Sequence, residues 1–163
     1  MDTKLKKTAV AAIAVIVAAA CFLIIRPGYY LTLTNRDTGK VYEKYPMKEG
    51  DCFSITFIHS VNKTPVTDYF YIEDGHIFNE ECKYYGFGAG VQTQLNEGES
   101  LSYTEDGGML ISNIHQNRDN VGYIVGTVSD HVLNVNGKDV SLRDMCGRNT
   151  PVRFNYIFTT KLH

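Results

Sequence analysis

The stretch CFSITFIHS, residues 52–60, decides the fold. Within it Phe53, Ile55 and Phe57 alternate with small polar residues. A period of two residues is that of a β-strand with one buried face and one polar face. The stretch therefore predicts a strand whose apolar side belongs to a protein core.

Strand-like segments separated by short turns continue in both directions from this stretch. Asp74-Gly75 and Asn136-Gly137 are strong signals for two-residue hairpin turns. Gly122 and Gly126, inside one apolar segment, indicate a bulge or a close approach of another backbone. The segments are 29–34, 40–45, 52–60, 66–72, 77–85, 100–104, 109–115, 121–128, 132–135, 139–142 and 152–158.

No segment after residue 28 shows a sustained helical period in its apolar residues. Short strands with close turns are typical of sandwiches and barrels. The sequence therefore predicts an all-β domain, a sandwich or barrel of about ten short antiparallel strands, preceded by one N-terminal transmembrane helix.

The N-terminal segment supplies that helix. Residues 8–25 (TAVAAIAVIVAAACFLII) contain no charged side chain. As a helix they would reach about 27 Å, close to the hydrocarbon thickness of about 30 Å. Lys4, Lys6 and Lys7 precede the segment, and the positive-inside tendency keeps that end in the cytoplasm.

The predicted organisation has three parts: a cytoplasmic basic N-terminus (1–7), a transmembrane anchor or signal segment (8–25), and an extracytoplasmic β domain (29–163). Ala18-Ala19-Ala20 could serve as a signal-peptide cleavage site, although the apolar run continues past it. Lipidation of Cys21 is a third interpretation. All three place the domain outside the cytoplasm, and the first makes the chain a single-pass protein of the cell membrane.

Charge and cysteine content exclude few classes of function. The net charge of −2 argues against a nucleic-acid partner, because phosphate-binding surfaces are usually basic. Beyond the anchor, Cys52, Cys82 and Cys146 are an odd set that permits at most one internal disulfide. The histidines show no metal-ligand spacing, so no metal or cofactor is predicted, although the fold could still assemble a composite site.

A polar loop follows the deciding strand. His59 and Ser60 end the strand, and Thr64 and Pro65 lead into the next, which carries Asp68. A histidine can change its charge near neutral pH. The loop is therefore a candidate binding site with His59 as hydrogen-bond donor or base and Asp68 as its partner. The alternative is a satisfied loop with an ordinary cross-strand polar pair.

A glycine-rich segment is the second candidate. Gly86, Gly88, Ala89 and Gly90 lie in YGFGAG. Alternating glycines can present backbone N–H groups to an anion, but no helix signal follows as in phosphate-binding loops. A tight bend or the floor of a pocket is the other interpretation.

Together, HSVNKTPVTDYF and YGFGAG resemble a family: a small extracytoplasmic domain of unknown function often encoded beside TAXI-type TRAP transporters. The similarity covers about residues 51–142 and rests on 59–61, 64–66, Asp68 and 88–90. Many members of that family carry Glu in place of Asp68 and Ser in place of Phe87.

The resemblance implies an accessory or binding role beside a transporter of small organic anions. The expected partners are the membrane, the transporter membrane subunit or its substrate-binding protein, and a small organic anion. The alternatives are an extracytoplasmic enzyme that uses His59 with Asp68 or Ser60, and a purely structural assembly domain. Adjacent Ser and His on a strand point to opposite faces, which disfavours a hydrolase, and no catalytic residue is assigned.

Overall fold

The computed structural model describes residues 10–17, 25–86 and 94–162. Eleven strands and one short helix, α1, follow the helical residues 10–17 in this part of the chain. The elements are β1 (Ile25–Asn35), β2 (Val41–Pro46), β3 (Cys52–Ile58), β4 (Pro65–Glu73), β5 (His76–Tyr84), β6 (Ser100–Tyr103), β7 (Met109–Asn117), β8 (Gly122–Ile124), β9 (His131–Val135), β10 (Lys138–Ser141), α1 (Leu142–Cys146) and β11 (Pro151–Leu162).

The strands form two sheets. One has the order β2-β1-β11-β8, and the other has the order β10-β9-β3-β4-β5-β7-β6. The paired strands run antiparallel. The predicted all-β class is confirmed, and the described strands form two separate sheets rather than a closed barrel.

The chain divides into two structural units, Met1–Tyr29 with Phe158–His163, and Tyr30–Ile157. The first contains the helical residues 10–17 and an edge-to-face ring pair between Tyr29 and Phe158, with centroids 5.3 Å apart. The second contains the core and the binding cavity described below.

The core of the second unit has two clusters of buried apolar side chains. The larger joins both sheets, so their inner faces pack on each other. The smaller consists of Val66, Tyr84, Met109 and Ile111, all from the seven-stranded sheet. The larger consists of Leu31, Leu33, Met47, Phe53, Ile55, Phe70, Ile72, Ile77, Val125, Leu133, Val135, Leu142, Val152 and Phe154.

Both predicted hairpin turns are present. Asp74-Gly75 joins β4 to β5, and Asn136-Gly137 joins β9 to β10. In each pair both residues have positive φ, between 51° and 78°. Two successive left-handed residues match the twist of the flanking strands, which is why these dipeptides predict hairpins.

Two local predictions were wrong. The strand expected at 121–128 is only Gly122–Ile124, because the chain folds back beyond it, and a Cβ on Gly126 would lie 2.1 Å from the Ser129 carbonyl oxygen. The strand expected to reach residue 142 ends at Ser141, whose hydroxyl caps α1 by accepting a hydrogen bond from the Asp144 N–H.

The predicted membrane segment is described only in part. Residues 8, 9 and 18–24 lie outside the described residues, residues 10–17 are helical and exposed, and residue 25 begins β1. Among the residues that the structure describes, no helix has both the length and the apolar character needed to cross a membrane.

Candidate ligand-binding site

Asp68 lies on the inner face of the seven-stranded sheet. Along β4 the residues Val66, Phe70 and Ile72 are buried, and Asp68 occupies an inward position of the same alternation. Its register partners are Ile55 of β3 and Cys82 of β5. The sheet therefore places a carboxylate among apolar neighbours.

The polar side chains next to this carboxylate are neutral. The Tyr123 hydroxyl of β8 donates to Asp68 Oδ2 at 2.7 Å, and the Cys82 thiol lies beside Asp68 at the paired position of β5. Burial, followed by the charge of Asp68, raises the pKa of Tyr123 and of Cys82. Both groups therefore stay protonated at neutral pH, and Tyr123 keeps donating to Asp68.

His59 is positioned by the loop that follows β3. Its backbone N–H donates to the Thr64 carbonyl at 2.9 Å, which closes the loop. Its ring nitrogen Nδ1 lies 3.2 Å from the Asn62 N–H and 3.3 Å from the Val61 N–H, and accepts from both. Because Nδ1 is an acceptor, a neutral His59 carries its proton on Nε2, which becomes a donor.

The loop also contacts the start of the glycine-rich segment. The Asn62 side-chain amide donates to the Gly86 carbonyl at 3.1 Å. Ser60 and Pro65 are exposed, and neither lines the cavity described next. The predicted site residues Gly88, Ala89 and Gly90 lie outside the described residues.

His59 and Asp68 line one cavity of about 320 Å³. Its walls are apolar on the side of the smaller core cluster and polar at the loops and at the end of β7. The lining residues are Phe57, His59, Val66, Asp68, Asn79, Cys82, Tyr84, Asn96, Glu99, Ile111, Ile114, Gln116 and Arg118.

Arg118 supplies the positive charge of this cavity. Its backbone is fixed, because its N–H donates to Ile77 at 2.7 Å and its carbonyl accepts from Val121 at 2.9 Å. No carboxylate in the described part of the chain lies within ion-pair distance of its guanidinium. Glu99, by contrast, already accepts from the backbone and side-chain amides of Asn96.

The interpretation of His59 and Asp68 as a cross-strand pair was wrong. Asp68 lies opposite Ile55 and Cys82, whereas His59 lies beyond the last paired residue of β3, Ile58. The two side chains share a cavity without a hydrogen bond between them in the described residues. Sequence reasoning missed Arg118, Cys82 and Tyr123. The one hint was Asp68, because an acid at an inward strand position needs polar neighbours.

This geometry does not provide the dyad that the enzyme hypothesis requires. A general base needs an unprotonated nitrogen within reach of the reacting proton. Nδ1 of His59 is occupied by two backbone donors, and Nε2 carries the proton. Neither Asp68 nor Ser60 is hydrogen-bonded to the His59 ring in the described residues, so neither orients it.

A composite metal-ligand cluster lies away from the cavity. Ligand atoms of Glu73, Glu80 and His115 are within 4.8 Å of one another. His115 Nδ1 is 2.5 Å from Glu80, and this hydrogen bond raises the pKa of His115. Glu73 and His115 are exposed, so these groups satisfy one another and solvent, and no metal is assigned to them.

The three thiols in the described chain, Cys52, Cys82 and Cys146, are all free. Cys52 is exposed, whereas Cys82 lines the cavity. The sequence permitted one disulfide among these three cysteines, but in the described residues all three are separate thiols.

The described residues form a two-sheet β domain with a mixed polar and apolar cavity that His59, Asp68 and Arg118 line. The chain belongs to the DUF1850 family, a domain of unknown function, and the family match covers residues 53–142. Comparison with curated proteins and with solved structures gave no match. The matched range contains His59, Asp68, Arg118 and Tyr123, whereas the expected neighbourhood of a TRAP transporter stays a prediction.

Proposed function

We propose that this chain is a membrane-anchored extracytoplasmic binding module whose cavity takes a small organic anion beside a TRAP-type (TAXI) transport system. The observation that carries the proposal is that His59 and Arg118, two side chains with hydrogen-bond donors, line one cavity. Small-molecule sites combine apolar walls with a few polar groups that fix orientation. A guanidinium is suited to a carboxylate because two of its N–H groups can bind both oxygens.

The distribution of donors supports an anionic ligand. Within the described residues, the carboxylates of Asp68 and Glu99 already accept hydrogen bonds from neutral protein donors. In the same part of the chain the Arg118 guanidinium has no carboxylate partner, and the Nε2–H of His59 is left over after the loop has used Nδ1. A carboxylate that enters the cavity can accept from both, while its carbon chain contacts Phe57 and Ile111.

The membrane part of the proposal is supported by the helical residues 10–17. All of them are apolar and exposed, including Val10, Ile13, Val15 and Val17. A helix that is apolar all round is usually buried in protein or in lipid. Lipid would cover these side chains, and the cavity would then lie on a domain tethered close to integral partners.

Carboxylate binding is tested by thermal unfolding of the detergent-solubilised full chain with straight-chain mono- and dicarboxylates of three to six carbons. A ligand of the native state raises the midpoint as its concentration exceeds Kd. We expect at least one acid to raise it, and we expect Arg118→Gln and His59→Ala to weaken that acid about tenfold each, as charge-assisted or directed hydrogen bonds are lost.

Two variants control for surface effects. Arg36→Gln removes an exposed arginine outside the cavity, and Ser60→Ala removes the hydroxyl next to His59. Both should bind the acid as the unmodified chain does. The same set can be assayed for co-purification with the neighbouring transporter subunits. The proposal fails if no carboxylate shifts the midpoint, or if the controls lose as much binding as the cavity variants.

A further inference from the structure

The cavity contains a negative charge that the proposed anion does not use. The Asp68 carboxylate lines the cavity, accepts a hydrogen bond from the Tyr123 hydroxyl, and lies opposite Cys82 of β5. No Lys, Arg or His side chain of the described residues pairs with it. A carboxylate offers about four acceptor positions, so Asp68 retains acceptor capacity after the bond from Tyr123.

An ionised carboxylate away from bulk water is stabilised chiefly by a charged partner. Asp68 is half-buried on an otherwise apolar sheet face, between Val66 and Phe70. The neutral Tyr123 hydroxyl gives Asp68 a hydrogen bond but does not cancel the negative charge of the carboxylate. A ligand with a positively charged group could pair with Asp68, which has no such partner among the described residues.

Arg118 does not act as the positively charged partner of Asp68 either. Arg118 lines the same space, yet it forms no ion pair with Asp68 within 4.0 Å. Asp68 and Arg118 therefore line one cavity without pairing with each other, and we expect both to be available to a ligand.

The other ionisable groups of the lining do not change this balance. Glu99 is a second carboxylate of the lining, but both of its oxygens accept from the amides of Asn96, whereas His59 donates through Nε2 and Cys82 remains a thiol. Asp68 and Arg118 are therefore the charged groups of the lining that keep hydrogen-bonding positions for a ligand, and the apolar lining residues leave room for a short carbon chain.

From this arrangement we infer that the ligand is an amino acid in the broad sense, a small carboxylic acid that also carries a protonated amino group. This inference rests on the proposed function, since the carboxylate still binds Arg118 and His59. The amino group donates to Asp68, and each charge of the ligand meets its opposite. A zwitterion of this kind is preferred over the corresponding simple acid because it alone pairs with Asp68.

The test compares matched probes on the unmodified full chain in detergent by isothermal titration. Pentanoate carries only the acid, and pentylamine carries only the amino group. L-2-aminopentanoate and 5-aminopentanoate carry both groups, adjacent or at opposite ends. We expect one of the two amino acids to bind at least about tenfold more tightly than pentanoate, because a charge-assisted hydrogen bond is added.

Two variants assign the effect to its residues. Asp68→Asn is expected to reduce the preference for the amino acid over pentanoate to less than about threefold, and Arg118→Gln to weaken both acids. Asp37→Asn, an exposed aspartate outside the cavity, is the matched control. The probe comparison needs no variant. It therefore shows whether the amino group adds affinity even if Asp68→Asn fails to fold.

The outcomes separate the two claims. Equal affinity for pentanoate and both amino derivatives would overturn the amino-group inference and leave anion binding in place. An unchanged preference in folded Asp68→Asn would also overturn it. Binding of neither acid nor amino acid would remove the proposed function together with the inference.

Discussion

At the scale of single residues, neighbours determine what each polar group can do. His59 has an acceptor nitrogen that the loop backbone uses twice, so its remaining nitrogen donates. His131 is a second case, since its Nδ1 accepts from the Gly126 N–H at 3.1 Å and its ring stacks on Phe57 at 5.2 Å. Two histidines near the same strand end therefore have their tautomers fixed by backbone N–H groups.

His131 is expected to make the domain less stable in mild acid. Burial lowers its pKa from 6.5, the nearby Arg143 lowers it further, and Asp130 opposes the shift. As the pH falls through about 6.5, the unfolded chain takes up a proton that the folded chain resists, so the free energy of unfolding decreases. His131→Asn keeps an acceptor for the Gly126 N–H and cannot titrate.

The measurement is the unfolding midpoint at about pH 7 and about pH 5, the range in which histidine titrates. The decrease should be smaller in His131→Asn than in the unmodified chain. His115 works in the opposite direction, because the Glu80 hydrogen bond raises its pKa and stabilises the fold at low pH. An equal decrease in both proteins would show that His131 is not the source.

At the scale of the strands and turns, short-range patterns predicted most of the fold. Alternation located β3, and the dipeptides at 74–75 and 136–137 located two hairpins. These signals work because period and turn geometry are local properties. Alternation alone could not show that the 121–128 segment turns back after Ile124, since a polar and apolar pattern does not reveal that the Ser129 carbonyl folds back onto Gly126.

The binding cavity was less predictable for the same reason. His59 and Asp68 are nine positions apart and were found together, but Tyr123 reaches Asp68 across 55 positions of sequence. Arg118 lies in a polar turn that resembles many others in composition. Which distant side chains share a cavity depends on strand order, and the strand patterns did not determine that order.

Gly126 provides a test at this scale. A Cβ there would lie 2.1 Å from the Ser129 carbonyl oxygen, and that atom belongs to the backbone and cannot rotate away. Gly126→Ala should therefore destabilise the domain by about 1–3 kcal/mol, measured by urea unfolding. It should also disturb the N–H that orients His131.

Gly86→Ala is the matched control, because a Cβ at Gly86 meets nothing within 4 Å and its φ is not positive. Its unfolding free energy should change by less than about 0.5 kcal/mol. If both variants unfolded at the same urea concentration as the unmodified chain, the close approach at Gly126 would have no energetic consequence.

At the scale of the whole molecule, the question is where the cavity operates. The exposed apolar residues of the 10–17 helix support insertion of the 8–25 segment into a bilayer. We expect the full chain to remain in the membrane pellet after extraction at alkaline pH, and protease added from outside to digest the β domain. A variant with Ala14→Lys and Ile16→Lys should be released, because each lysine in the apolar segment costs about 2.5–3.5 kcal/mol of insertion.

Recovery of the unmodified chain in the alkaline supernatant would contradict the anchor without affecting the cavity. Peripheral attachment through the domain would give that result, as would cleavage after residue 20. Unchanged retention of the double-lysine variant would equally remove the segment as the cause of membrane association.

The pairing of β1 with β11 has a consequence for the order of folding. The Thr32 hydroxyl donates to the Asn155 carbonyl, across 123 positions of sequence. The seven-stranded sheet needs no strand beyond β10, so it can assemble while the chain is still being synthesised. The early strand β1, with Leu31 and Leu33, must wait for its latest partner, and until β11 is made these apolar side chains lack the cover that it provides.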